Sequence, residues 1–310
     1  MKNNERIITF PYVGKKYTNL IKTSLENLGM NVEMPPMITN KTIQLGVKNS
    51  ADMICFPYKI TLGSYIESLE NGANTLLMYD TKGQCRFRHY HKVQDFTLRD
   101  LGYKDFEMYG LNPWNFIPTL KKISEKSYPV VIKEIASLIN KIKKEDDKRI
   151  WSKEKPNIGI IGEIYSAIDE KSNYNIEKKM KNHGANPYNT VALSQFIEKS
   201  VLKYVMPWKF KKEKLQKEAE AYFNGKVGGH IVENVHELLK LSERNVDGVV
   251  HILPLSCMPE TLGEPIINKI CRDKEIPLLR VPIDENNSEA NLETRVETFC
   301  ELIKWRKKKL

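Results

Sequence analysis

The chain has 310 residues, 41% of them hydrophobic and 28% charged, which suits a soluble globular protein with one large domain or two ordinary ones. It contains no run of 18 apolar residues, and its first residues, MKNNERIITFPYVG, lack a small-residue cleavage site. A membrane span and a secretory leader are therefore both excluded as expectations, and the cytoplasm is the expected location. The net charge of +10 gathers at Lys209 to Lys217 and in the terminal WRKKKL. That spacing reads as solvated helix faces and a chain end. With no zinc-finger spacing or aromatic RNA-binding motif, no nucleic-acid partner is expected.

The first part alternates strand and helix. RIITFPY predicts a short strand. Residues 17 to 29 place Leu20, Ile21, Leu25 and Leu28 on one helical face, with Gly29 just past the helix end. NVEMPP predicts a strand and residues 41 to 48 a helix. DMIC predicts a strand, PYKITLGSYIESLENG a helix and NTLLMYD a strand. DTKGQCRFRHYHKVQ then runs into a helix ending near Leu101. This β-α repetition predicts a parallel sheet. Residues 113 to 155 read as a helical, lysine-rich stretch broken by proline. The second part resumes with NIGIIGEIY, a strand ending near Glu163. Helices are predicted over 192 to 205, 211 to 223 and 230 to 243. VDGVVHILPL is its strongest strand. EPIINKICRDK predicts a helix and IPLLRVPI a strand, and a C-terminal helix carries Leu292, Val296, Phe299 and Ile303 on one face. The expected architecture is α/β with two lobes: an N-terminal α/β lobe over 1–112, a helical connector over 113–155 and a C-terminal α/β lobe over 156–310.

Five cysteines in a chain without an expected leader argue for reduced thiols rather than a disulfide framework. Cys271 and Cys300 fall inside amphipathic helices and read as small buried hydrophobes. Cys55, Cys85 and Cys257 are each placed between a predicted strand and a helix start. In open parallel sheets that edge is where ligands bind, and helix N-termini favour anionic groups. No CxxC pair accompanies them. Their spacing alone leaves zinc, an iron–sulfur cluster, a nucleophile and an inert core all open.

Four stretches carry a resemblance: PPMITNKTIQLGVKNSADMICFPYKITLGSYIESLENGANTLLM; GQCRFRHYHKVQ; GEIYSAIDEKSNYNIEKKM; and GGHIVENVHELL followed by DGVVHILPLSCMPE and IPLLRVPIDENNSEANLETRVETF. In this order they resemble the 2-hydroxyacyl-CoA dehydratase and benzoyl-CoA reductase superfamily, and within it the stand-alone CoA protein activase, or acyl-CoA dehydratase activase-related, type. The resemblance implies two Rossmann-like lobes with parallel sheets and a cluster site in the cleft at the strand carboxyl ends. It implies that Cys55, Cys85 and Cys257 are metal ligands of an iron–sulfur cluster, a [4Fe-4S] or, as in some branches, a double-cubane cluster. Three cysteines leave one iron without a protein thiolate. One departure is local: the family's usual GPC followed by RFG is here GQC followed by RFRHY, with Gln84 for proline and Arg88 for a small residue. That implies a more polar and cationic pocket.

The cations Arg86, Arg88, His89, His91 and Lys92 are candidates to hold an anionic ligand or stabilise a reduced cluster. On one continuous helix Cys85 and His89 would share a face at i, i+4, which makes His89 the expected neighbour of the cluster. Glu163 and Glu260 are candidates for a base beside the site or for helix-start carboxylates, the latter favoured for Glu260. HIVEN, with His230 and Glu233, matches the family without an assigned role. No GxxxxGK[ST] loop is present, and GIIG at 159 to 162 is not a dinucleotide fingerprint. The chain is thus not expected to be an ATPase. The resemblance implies a separate ATPase activator of the sugar kinase/Hsp70/actin type as partner, together with a homodimer or a related subunit. Two functions follow. One is a redox protein that receives low-potential electrons and reduces or dehydrates a small or CoA-linked substrate. The other is a non-catalytic electron carrier, cluster scaffold or regulatory subunit.

Overall fold

The computed structural model describes residues 6–80, 85–198, 214–223 and 230–309. They form two compact units. The first takes the described residues of Met1–Ile54, Tyr58–Asp147 and Leu193–Phe210, and the second those of Cys55–Pro57, Lys148–Ala192 and Lys211–Leu310.

In the first unit β1 (Ile7–Thr9), β2 (Asn31–Val32), β3 (Thr75–Tyr79) and β4 (Glu107–Leu111) form a parallel sheet in the order β2-β1-β3-β4. Helix α1 (Lys15–Asn27) follows β1, and Gly29 beyond its end takes φ 79°, as its predicted place requires. Helix α2 (Asn40–Lys48) opens with a capping box between Thr39 and Thr42. Helix α3 (Phe56–Glu70) buries Tyr65, whose hydroxyl donates to the Leu77 carbonyl of β3 at 2.8 Å. Helix α4 (Tyr90–Asp100) precedes β4. Helices α5 (Phe116–Ser124) and α6 (Tyr128–Asp146) lie in the stretch read as lysine-rich and helical. Their Leu120, Ile123, Val131, Ile135, Leu138 and Ile142 share one core with Ile8, Leu25 and Leu77.

The second unit repeats the plan. Strands β5 (Asn157–Gly162), β6 (Asn186–Asn189), β7 (Gly248–Pro254) and β8 (Leu278–Ile283) are parallel in the order β6-β5-β7-β8. Helices α7 (Ile164–Ile168) and α8 (Ile176–Asn182) follow β5, and α9 (Leu193–Ile197), counted with the first unit, follows β6. Helices α10 (Lys214–Ala221) and α11 (Ile231–Glu243) precede β7; α12 (Met258–Asp273) and α13 (Glu289–Lys309) flank β8. Every residue of β5 is buried, as a continuous apolar run in a parallel sheet requires. Successive strand residues face opposite sides. Val249 joins a core with Leu238 and Ile267 of α11 and α12, whereas Gly248 lies against Ile303 and Phe299 of α13. Helices therefore cover both faces of this sheet. The predicted face of α13, with Leu292, Val296, Phe299 and Ile303, is buried.

Three readings change. DMIC is not a strand: residues 51–54 are a turn with Met53 73% exposed, and Cys55 stands directly before α3. The segment lies between the end of α2 and a proline in the first turn of α3, and its Ile54 N–H turns back to the Ala51 carbonyl at 3.2 Å instead of pairing with a strand. The helix predicted to run from Cys85 to Leu101 is broken into a 3₁₀ turn, Arg86–His89, followed by α4. With three residues per turn, Cys85 and His89 do not share the predicted face. Strands β4 and β6 and helices α7 and α8 were not anticipated; β4 and β6 are sheet edges, where Gly110 and Pro187 are tolerated. Of the helices predicted over 192 to 205 and 211 to 223, residues 199–205 and 211–213 lie outside the described residues. Among those described, no helix is long and apolar enough to cross a membrane.

Candidate redox site

In each sheet the strand order reverses between its first and third strands, the place where open α/β sheets bind ligands beyond the strand carboxyl ends. In the second unit those strands are β5 and β7. Glu163 follows β5, and Cys257 follows β7 after Leu255 and Ser256. In the first unit Cys85 holds the corresponding place after β3.

Gly162 ends β5 with φ 146°, a region closed to other residues, and a Cβ there would lie 2.1 Å from the Ile252 carbonyl of β7. The tight join lets the Glu163 N–H donate to that carbonyl at 3.1 Å and turns its side chain into the cap of α7. Glu163 Oε1 accepts from the Tyr165 N–H, and Oε2 accepts from the Ser166 N–H and hydroxyl, at 2.8 to 3.0 Å. Burial pushes this carboxyl above the usual carboxylate range; the three hydrogen bonds oppose the rise and the charge of Glu260 adds to it.

After β7 the chain turns through Ser256 at φ 63°, and the Cys257 N–H donates back to the Pro254 carbonyl at 3.0 Å. Cys257 is the N-cap of α12, with proline in the first turn, and is buried. Its thiol is pushed far up, first by burial, then by the Glu260 and Glu163 carboxylates and by Cys55; the Glu260 backbone amide acts the other way. Cys55, the smallest of these influences, is also buried. The two fit a soft-metal donor set: both are buried sulfurs at helix starts, and Cys257 keeps its proton until a cation takes the proton's place. Among the described residues no three His, Cys, Asp or Glu side chains stand together as a metal site.

Cys85, the third predicted ligand, is half-buried at the head of the 3₁₀ turn. Tyr90 anchors that turn, packing edge-on against Phe87 and against Tyr58 of α3, and Arg86 Nη1 donates to the Met53 carbonyl at 2.8 Å. Within the first unit the segment after Cys85 is therefore tied to the turn that leads into Cys55. Arg86, Arg88 and His89 are exposed. His91 packs against Gly110, where burial lowers its pKa against the pull of Asp80, and it lines a groove with Lys92, Asp95 and Arg99.

The residues missed by sequence reasoning surround Glu260, which does more than start a helix. It is 1% exposed. Its Oε1 accepts from Asn234 Nδ2 at 2.9 Å, and its Oε2 lies 2.6 Å from Nε2 of His251, which is 0% exposed. Asn234 also pairs with Gly162 through both N–H···Oδ1 and Nδ2–H···O, at 3.2 and 3.1 Å. Two signals were available. His251 is the polar residue inside the apolar run of VVHILPL, and Asn234 shares the helix face of Ile231, Val235 and Leu238. In HIVEN it is Asn234 that turns inward, while Glu233 stays half-buried.

No curated protein matches the chain. The family described as 2-hydroxyglutaryl-CoA dehydratase, D-component, matches residues 121–303, which include Glu163, Asn234, His251, Cys257 and Glu260 and leave out Cys55 and Cys85. With more than half of its length matched, the chain belongs to the 2-hydroxyglutaryl-CoA dehydratase D-component family.

Proposed function

We propose that the protein is an iron–sulfur redox protein of the activase-related type, with Cys55, Cys85 and Cys257 as the cluster ligands. The observation that carries this reading is the buried Cys257 thiol just past the carboxyl end of β7, with a second buried thiol, Cys55, whose charge would act on it. The equivalent place of Cys85 after β3 and family membership support it. When bound, a [4Fe-4S] or double-cubane cluster supplies low-potential electrons for reducing or dehydrating a small or CoA-linked substrate. The chain's own residues hold the sulfurs, keep water from Cys55 and Cys257, and place two carboxylates near Cys257. The exposed Arg86, Arg88 and His89 offer positive charge to an anionic ligand or partner. An ATPase activator of the sugar kinase/Hsp70/actin type is the proposed electron donor, and a cytoplasmic homodimer, or a pair with a related subunit, the proposed assembly. The test is iron content after anaerobic purification. Cys85→Ser and Cys257→Ser should each lose most of the iron, and retention of all of it by either variant would remove that residue from the ligand set.

One observation favours the non-catalytic reading, an electron carrier, scaffold or regulatory subunit. Both oxygens of Glu163 and of Glu260 are already hydrogen-bonded inside the protein, so neither stands free as a base. Here the reduced protein's EPR spectrum decides. A change on adding acyl-CoA thioesters supports catalysis, and an unchanged spectrum supports the carrier.

A further inference from the structure

Hydrogen-bond bookkeeping fixes the charge of the buried trio Asn234, Glu260 and His251. Asn234 Nδ2 can only donate, so Glu260 Oε1 accepts. The other oxygen meets His251 Nε2, while His251 Nδ1 has no partner among the described residues. An imidazolium would leave a buried Nδ1–H unpaired. A protonated Glu260 donating to Nε2 would leave the same N–H unpaired, because the neutral ring would then carry its proton at Nδ1. A neutral ring protonated at Nε2 leaves only a lone pair there, and orphaned N–H groups are the rarer defect in protein interiors. Both oxygens of Glu260 then accept, as a carboxylate does. Glu260 opens the same helix as Cys257, three residues on, and its charge acts on that thiol and on Glu163.

We infer that His251, as the neutral Nε2–H tautomer, and Asn234 hold Glu260 as a fixed buried anion beside Cys257, and that this anion lowers the reduction potential of the redox group carried by Cys257. His251 is a positioning residue that acts through Glu260. The inference rests on the function proposed above. Asn234 gives the arrangement its rigidity, since the same side chain clamps the end of β5.

Two measurements test it. In ¹⁵N-histidine-labelled chain without iron, the His251 signals are assigned by their loss in His251→Gln. They should show a protonated Nε2 and a bare Nδ1 at neutral pH; an imidazolium or an Nδ1–H pattern overturns the charge assignment. In the iron-loaded protein Glu260→Gln should raise the midpoint potential. At the wild-type midpoint its reduced-to-oxidised ratio should shift about tenfold, or 59 mV for one electron, while Glu260→Asp stays near wild type. An unchanged potential in Glu260→Gln overturns the inference. Should that variant lose its iron, His251→Leu, which removes the donor to Oε2, should raise the potential instead, and no rise there overturns it equally. A wild-type chain without iron would remove the function proposed above and the potential-setting role with it. The nitrogen spectrum would still decide the charge of the trio.

Discussion

Asn234 makes three hydrogen bonds with one buried amide, two to Gly162 and one to Glu260. Asn234→Leu keeps the volume and strands those partners, so it should cost ~2–5 kcal/mol, read as a lower urea midpoint. A loss under about 0.5 kcal/mol would mean that the pairing is not formed in solution. Asp169 gives a pH test away from the thiols. It is buried, Oδ1 accepts from the Ser172 N–H and hydroxyl, and Oδ2 has no partner among the described residues. Burial raises its pKa against those two bonds. The folded state therefore holds the proton more tightly than the unfolded one. The stabilisation is present below the ordinary carboxylate range and is lost as pH rises through the raised folded value. Asp169→Asn should flatten the fall in stability above the ordinary carboxylate range, and an unaltered slope would contradict the burial argument. At this scale the sequence showed Cys257 and Glu260 plainly, because proline and an acidic residue after a strand mark a helix start. It did not show that Glu260 is paired, since a hydrogen bond to His251 depends on the tilt of α12 over β7.

Elements were legible where burial leaves a clear pattern, a continuous apolar run for a strand buried on both faces or one apolar stripe for a helix. β5 and β7 are continuous apolar runs, and α13 shows its buried stripe in Val296, Phe299 and Ile303. Phe299→Ala, which empties the space against Gly248, should cost ~3–5 kcal/mol and lower the thermal midpoint by several degrees. A cost below about 1 kcal/mol would show that this helix is not part of the core. The edges were not legible. β6 reads NPYN and β4 reads EMYGL, and both are strands because a neighbouring strand supplies the pairing rather than through their own propensity. The turn at 51–54 and the 3₁₀ turn at Arg86–His89 escaped for the opposite reason. Each looks like part of a regular element locally, and each is set by what it anchors: Met53 by its carbonyl's bond to Arg86, and the 3₁₀ turn by Phe87 against Tyr90. The correction matters for His89, whose expected nearness to Cys85 relied on a continuous helix.

Across the whole molecule, two parallel four-stranded sheets share one strand order, and a cysteine follows the third strand of each. Repetition of the plan explains why the alternation of strand and helix was readable twice over. It also gives Cys85 and Cys257 equivalent starting points, while Cys55 comes from a different kind of place, the turn before α3. The central claim, a cluster held by these three thiols, is tested most directly by iron and acid-labile sulfide per chain in anaerobically purified wild-type protein, with its absorption spectrum. About four of each per chain is the result expected for a [4Fe-4S] cluster, and a clearly higher iron-to-chain ratio would assign the double-cubane form. Protein that takes up no iron even after reconstitution would contradict the claim and leave a dehydratase-family fold without its redox chemistry.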